Sequence, residues 1–177
     1  MTTAIIGTGG IGSAIARQLA SGGEALQLSS ADKQSAQRLA AAIGGTAVVP
    51  VDNRSALQGA DAVILALRFS VLKDVIDEIS DELGGKSLVV PSNPVGLDAQ
   101  GKLVRLLPEG QSSGETIAGW LPTGANLTIA FGTMAADLFE SPTGPIGAYQ
   151  VLRAPACRKW KYCSSHYAPT IPAEVLR

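Results

Sequence analysis

The sequence predicts an α/β domain built on a doubly wound parallel sheet, and three observations carry that prediction. Short apolar runs alternate with stretches of helical period from the first residues onward. Each of the first helical stretches closes on a glycine pair. The run Ala62-Val63-Ile64-Leu65-Ala66-Leu67 is apolar without a break, as a central strand covered on both faces must be.

Thr3-Ala4-Ile5-Ile6 is the first strand, stopped by Gly7, and Ile11, Ala14, Ile15, Gln18 and Leu19 then recur at helical spacing. Gly22-Gly23 caps that helix, and Ala25–Leu28 is the second strand. Ala36, Leu39, Ala40 and Ile43 mark the next helix, closed by Gly44-Gly45 before a third strand at Thr46–Val49. The apolar run over 62–67 is the fourth strand. Leu72, Val75, Ile76, Ile79 and Leu83 give the helix after it, Gly84-Gly85 ends that helix, and Ser87–Val90 is the fifth strand. A loop rich in Gly, Asp and Pro is expected next. Ser112 and Glu115 have the spacing of a capping box, which predicts a short helix through Ile117, Trp120 and Leu121 ahead of a sixth strand at Leu127–Phe131. Right-handed crossovers between these strands give the order 3-2-1-4-5-6.

At 177 residues and 46% hydrophobic, the chain supports one packed core. Its net charge of −1 gives no case for nucleic-acid binding, and no apolar run nears the ~20 residues of a membrane span. The absence of a basic leader and the use of two cysteines, Cys157 and Cys163, without a disulfide framework lead us to expect a cytoplasmic protein. Residues 1–140 hold 9 Lys/Arg against 14 Asp/Glu, whereas 141–177 hold 5 against 1, so the balance changes from −5 to +4. Half of the ten prolines and all three tyrosines also follow position 140. A boundary near Glu140-Ser141-Pro142 is expected, with an α/β domain over 1–140 and an irregular, basic, Pro-rich tail over 141–177.

Gly7-Thr8-Gly9-Gly10-Ile11-Gly12 matches G-x-G-x-x-G between a strand and an amphipathic helix, the context that a Rossmann, NAD(P)-binding unit requires. Gly7 makes the turn, Gly9 lets a pyrophosphate approach the backbone, and Gly12 lets helix and strand pack closely. The helix N-terminus then presents free N–H groups and the positive end of its dipole to the phosphates. NAD-preferring domains usually place an acid at the end of the second strand. Here that place reads Ser29-Ser30-Ala31, with Lys33 one helical step on, which favours NADP(H) because hydroxyls and a cation suit a 2′-phosphate. Two alternatives stay open: a one-residue shift would bring Asp32 to the ribose, and Ser30 could cap the next helix.

From Ala4 to Ala16 the chain resembles the deazaflavin-dependent NADP oxidoreductase family, and the resemblance extends over about residues 3–139 through Ala60–Leu67, Ser92-Asn93-Pro94 and Ala130–Met134. It implies hydride transfer between NADP(H) and a second ring cofactor, a deazaflavin in the archetype. Relatives include the cytosolic domains of membrane metalloreductases, so a flavin or another small-molecule acceptor is equally consistent with the fold. Carried over by position, Thr8 and Gly9 face the phosphates, Ser30 and Lys33 the 2′-phosphate, and Ser92, Asn93 and Pro94 the nicotinamide. Leu67 and Arg68 close the fourth strand at the end where ligands sit. Arg68 stands where the family usually has proline, and either reaches the adenine or 2′-phosphate or is an exposed loop arginine. Ala31 replaces a common arginine and Gly132 a common asparagine. A homodimer is left open.

The resemblance stops near Ser141, and a change this abrupt is what a shifted reading frame, or a spliced or divergent end, would give. No stretch after Leu152 alternates as a strand should. Cys157, Cys163 and His166 lack the spacing of a metal site, and the Arg158–Tyr162 segment reads as solvated. His166 is the only histidine. With no acid/base constellation over 1–140, ring-to-ring hydride transfer is favoured over oxidation of an alcohol, since the former needs no proton-transfer residue. Two functions remain: an NADPH-dependent oxidoreductase, and an NADP-binding module without competent catalysis because its acceptor side is missing.

Overall fold

A computed structural model describes residues 1–45, 47–132 and 152–154. The expected boundary at Glu140–Pro142, the two cysteines, His166 and the Arg158–Tyr162 segment lie outside the described residues.

Strand β1 (Thr2–Ile6) leads through the glycine turn into α1 (Gly10–Ser21), followed by β2 (Ala25–Ser29) and α2 (Lys33–Ile43). A two-residue β3 (Ala47–Val48), a short α3 (Asn53–Leu57) and β4 (Ala62–Leu65) come next. After them lie α4 (Phe69–Ile79), a 3-10 turn over Ser80–Glu82, and β5 (Ser87–Val90). A hairpin of β6 (Val95–Leu97) and β7 (Leu103–Arg105), then α5 (Ser113–Trp120), β8 (Asn126–Ile129) and β9 (Leu152–Ala154), complete the described elements.

The sheet runs β3-β2-β1-β4-β5-β8-β9, with its first six strands parallel and β9 antiparallel to β8. This is the doubly wound order expected, with β8 in the sixth place. Side chains of β1 alternate between two cores. Ala4 and Ile6 enter the core under α3, α4 and α5, while Ile5 enters the one under α1 and α2. In β4, Val63 and Leu65 take the first side and Ile64 the second. A strand buried on both faces cannot alternate polar with apolar, which is why β1 and β4 read as solid apolar runs. Each fully buried Ile or Leu contributes roughly 1.5–3 kcal/mol.

Caps set the helix ends. Gly23 N–H donates to Ala20 O and Glu24 N–H to Leu19 O, a Schellman closure of α1. The Ser112–Glu115 capping box is present at the start of α5.

Several expectations need correction. The fourth strand ends at Leu65, because Ala66, Leu67 and Arg68 turn away to deliver Phe69 to the buried start of α4, where its ring lies 5.6 Å from that of Trp120. The sixth strand spans 126–129 rather than 127–131. Its chain turns at Phe131, whose φ of 64° is the only positive φ on a non-glycine among the described residues. The third strand, described over 47–48, stops short of Val49, and the expected start at Thr46 lies outside the described residues. The segment after Pro91 is a hairpin, not a loop alone. Asp98 Oδ1 accepts from Gln100 N and Lys102 N and so folds the turn. Helix α3 was not expected, having only two buried apolar residues, Ala56 and Leu57. Leu152–Ala154 pairs with β8, so the tail is not irregular over those three residues. Among the described residues no helix is long and apolar enough to cross a membrane.

Candidate functional site

Sheet order reverses between β1 and β4, and at such a switch point the loops leaving adjacent strands diverge and open a crevice at the carboxyl edge. A cleft of about 840 Å³ lies there. The turns after β1, β2, β3 and β4 all contribute to its wall.

Gly7 holds φ +102°, and a Cβ on it would come within 2.3 Å of the Ala66 carbonyl oxygen. Its N–H donates to Ser29 O at 2.8 Å, while Ala66 N–H donates to Ile6 O at 2.9 Å, so the ends of β1, β2 and β4 are knit together at the turn. Gly12 packs against Gly7 from the first turn of α1, and there is no room for a side chain between them. Gly9 differs. Nothing lies within 4 Å of where its Cβ would be, and it faces the cleft. No side chain caps α1 and no acidic residue stands in its first turn. The helix therefore meets the cleft with free N–H donors and the positive end of its dipole, a ready anion site.

Thr8 lines the cleft, but its hydroxyl is paired with Ser35 Oγ of α2 at 2.8 Å. Ser13 Oγ donates to Thr8 O at 2.8 Å, so the loop is tied both to α2 and to α1.

At the end of β2 the helix cap falls on Asp32 rather than on Ser30. Asp32 caps α2, accepting from Gln34 N at 3.1 Å, and its other oxygen faces Arg38 at 3.4 Å. Ser30 does not cap the helix, and Asp32 is not among the lining residues, whereas Ser29, Ser30, Ala31 and Lys33 are. The Asp32 carboxylate at the helix start is held by the Gln34 N–H and by the dipole, which fixes it away from the cleft. Ser29 is 6% exposed and donates to Asn53 Oδ1 at 2.7 Å, and Asn53 Nδ2 donates to Glu78 Oε2 at 3.0 Å. The relay crosses from β2 through α3 to α4.

Asp52 caps α3 and lines the cleft. The Ser55 N–H holds its carboxyl below the usual value, the Ser55 hydroxyl adds to this, and Lys33 and Arg54 contribute positive field. Apolar lining comes from Val49, Pro50 and Val51 on one side and Val71 and Val75 of α4 on the other.

Of the candidates read from sequence, Gly7, Thr8, Gly9, Ser29, Ser30, Lys33, Leu67 and Arg68 come together in this cleft. Gly10, Ile11 and Gly12 stand on the first turn of α1, outside the lining, and Gly12 serves packing. Asn93 and Pro94 also lie outside it, at the carboxyl end of β5. There Ser92 Oγ donates to Leu67 O and Asn93 Nδ2 donates to Gly132 O. Gly132 leaves room for that amide, since a Cβ on it would lie 2.8 Å from Asn93 Oδ1. The reading missed Ser35, Asp52, Asn53 and Glu78; only Asp52, an N-cap residue ahead of Ala56-Leu57, carries a sequence signal.

Fold and site together define a Rossmann-type α/β domain. Residues 2–94 match the family described as NADP oxidoreductase, coenzyme F420-dependent, and the chain belongs to that family. Among solved structures it is similar to a hypothetical protein from Sinorhizobium meliloti, with 31% identity and a TM-score of 0.67 over 80% of this chain and 66% of that one. A candidate F420-dependent NADP-reductase from Arthrobacter sp. FB24 is 21% identical, with a TM-score of 0.68 over 77% of this chain and 64% of that one. An imine reductase from Myxococcus stipitatus in complex with NADP⁺ is 23% identical, with a TM-score of 0.56 over 78% of this chain and 43% of that one. The chain thus spans less than two thirds of these relatives' length. No curated protein sequence matches it.

Proposed function

We propose that the cleft binds NADP(H) and that the protein is an oxidoreductase passing a hydride between NADP(H) and a deazaflavin, flavin or similar ring acceptor. The observation that carries the reading is the pairing of an open Gly9 at an uncapped helix start with a second strand whose end offers Ser30 and Lys33 to the cleft and turns Asp32 away. The N–H groups of the first turn of α1 would hold the pyrophosphate, and Ser30 and Lys33 the 2′-phosphate. Val51, Val71 and Val75 offer apolar surface to the adenine. The Asn93–Gly132 contact fixes the rim beyond β5, where the nicotinamide would be oriented. When bound, the nicotinamide supplies the hydride, and the chain's part is placement and exclusion of water.

Titration with NADPH and NADH, followed by NADPH oxidation with deazaflavin, flavin and ferric acceptors, tests this. Tighter NADPH binding with turnover of one acceptor supports it. Equal binding of NADH removes the NADP assignment. A second reading is an NADP-binding module without turnover of its own. Tight NADPH binding with no acceptor reduced would favour it.

A further inference from the structure

We propose that Arg68 is the residue by which this cleft distinguishes NADP(H) from NAD(H), meeting the 2′-phosphate from the wall opposite Ser30. The inference rests on the nucleotide reading above and adds the specificity-determining contact to it.

The charges of the cleft point to Arg68. Its lining holds two cations, Lys33 and Arg68, and two carboxylates, Asp52 and Glu78. Lys33 lies near enough to Asp52 to lower its pKa, so part of its field is already answered. Most other cations among the described residues are engaged elsewhere: Arg38 with Asp32, Arg54 with Asp81, Lys73 with Asp77, Lys86 with Ala60 O, and Arg105 with Gln111 O. Arg68 is exposed and caps α4 without using its side chain. Among the described residues its side chain has no hydrogen bond or ion pair, and only its carbonyl is used, accepting from Val71 N–H at 3.1 Å. Without it the cleft would carry one positive and two negative groups, a poor host for a dianion.

The β2 wall cannot supply the missing donors alone. Ser29 has given its hydroxyl to Asn53, and Ala31 has none to give, which leaves the Ser30 hydroxyl and Lys33. β4 lies two strands from β2, about 10 Å across, a gap that an extended arginine and a phosphate close from opposite sides. The base of this arm is fixed. Leu67 O on one side accepts from buried Ser92, and Phe69 on the other is buried against Trp120. A planar guanidinium on a rigid base, with its donors unspent, suits bidentate phosphate recognition.

The test compares the full chain with Arg68→Ala and Arg68→Lys, using NADPH, NADH, adenosine 2′,5′-bisphosphate and AMP as probes, with a thermal melt to show that each variant is folded. Arg68→Ala should weaken NADPH and the bisphosphate roughly 10- to 100-fold, as loss of a charge-assisted contact does, and NADH and AMP less than about twofold. Arg68→Lys should fall between, keeping the charge but not the fork. Equal losses for all four probes, or none, would overturn the role of Arg68 while leaving the nucleotide site standing. A wild-type chain that binds neither NADPH nor the bisphosphate overturns the site reading itself, and the inference with it.

Discussion

A Cβ placed on Gly12 would lie 1.9 Å from the carbonyl oxygen of Gly7 and 3.1 Å from Ala66 Cβ. Helix α1 is therefore seated on the turn after β1 at main-chain contact, with the Ala66 methyl just past β4 closing the other side. Gly12→Ala should lower stability by roughly 3 kcal/mol or more, because neither backbone can yield as a flexible side chain would. Urea unfolding checks this, and an unchanged midpoint would show that the helix can slide outward at little cost.

Gly9 is the contrasting case. Nothing stands within 4 Å of its Cβ position and its φ of −71° suits any residue, so Gly9→Ala should change stability by less than about 0.5 kcal/mol. Gly9→Asp should fold as well, yet weaken NADPH by about 100-fold or more, since its carboxylate would stand where the pyrophosphate approaches. Calorimetric titration of a folded Gly9→Asp chain that still binds would remove the anion-site reading.

Asn53 joins Ser29 to Glu78, and Ser29 is nearly buried. Asn53→Ala leaves the Ser29 hydroxyl without its acceptor and should cost about 1–2 kcal/mol, a fall of roughly 3–6 °C in melting temperature for a chain of this length. Ser29→Ala should cost less, because the more exposed Asn53 can turn to water. The double variant should be milder than the sum of the two, and strict additivity would argue that the three groups do not act as a chain.

Asp52 gives a pH dependence of known sign. Its carboxyl is held below 3.8 in the folded state, chiefly by the Ser55 N–H, so the stability it contributes is present above pH 3.8 and is lost as pH falls through the folded value. Asp52→Asn, which mimics the protonated acid, should melt below wild type at pH 6 and converge with it as the pH drops below 3.8. Parallel melting curves across that range would mean that the carboxylate charge contributes nothing.

The strands and their order were readable in the sequence because burial on both faces leaves an unbroken apolar signature in β1 and β4, and because Gly22-Gly23 and Gly44-Gly45 punctuate the helices between them. The glycine loop was readable for a similar reason: each glycine answers a steric demand that a spacing pattern records. The cleft's polar wiring was not. Ser35 meets Thr8, and Asn53 meets Ser29 and Glu78, only after separate crossovers have folded, and no local pattern encodes those encounters. The β6–β7 hairpin was within reach, since Asp98 and Gly101 sit at the first and fourth positions of a turn whose carboxylate bonds forward to the backbone. The role of Asp32 turned on a single residue of register, which periodicity does not fix.

The Thr8–Ser35 contact has a bearing on how the loop meets an anion. A glycine-rich turn ordinarily samples many shapes and must give up that freedom when a ligand arrives. Here a hydroxyl pair couples it to α2 and a second hydroxyl couples it to α1, so its shape is set when the helices dock. The disorder of the turn is lost during folding of the chain, and association then proceeds on a rigid frame with little entropy left to surrender.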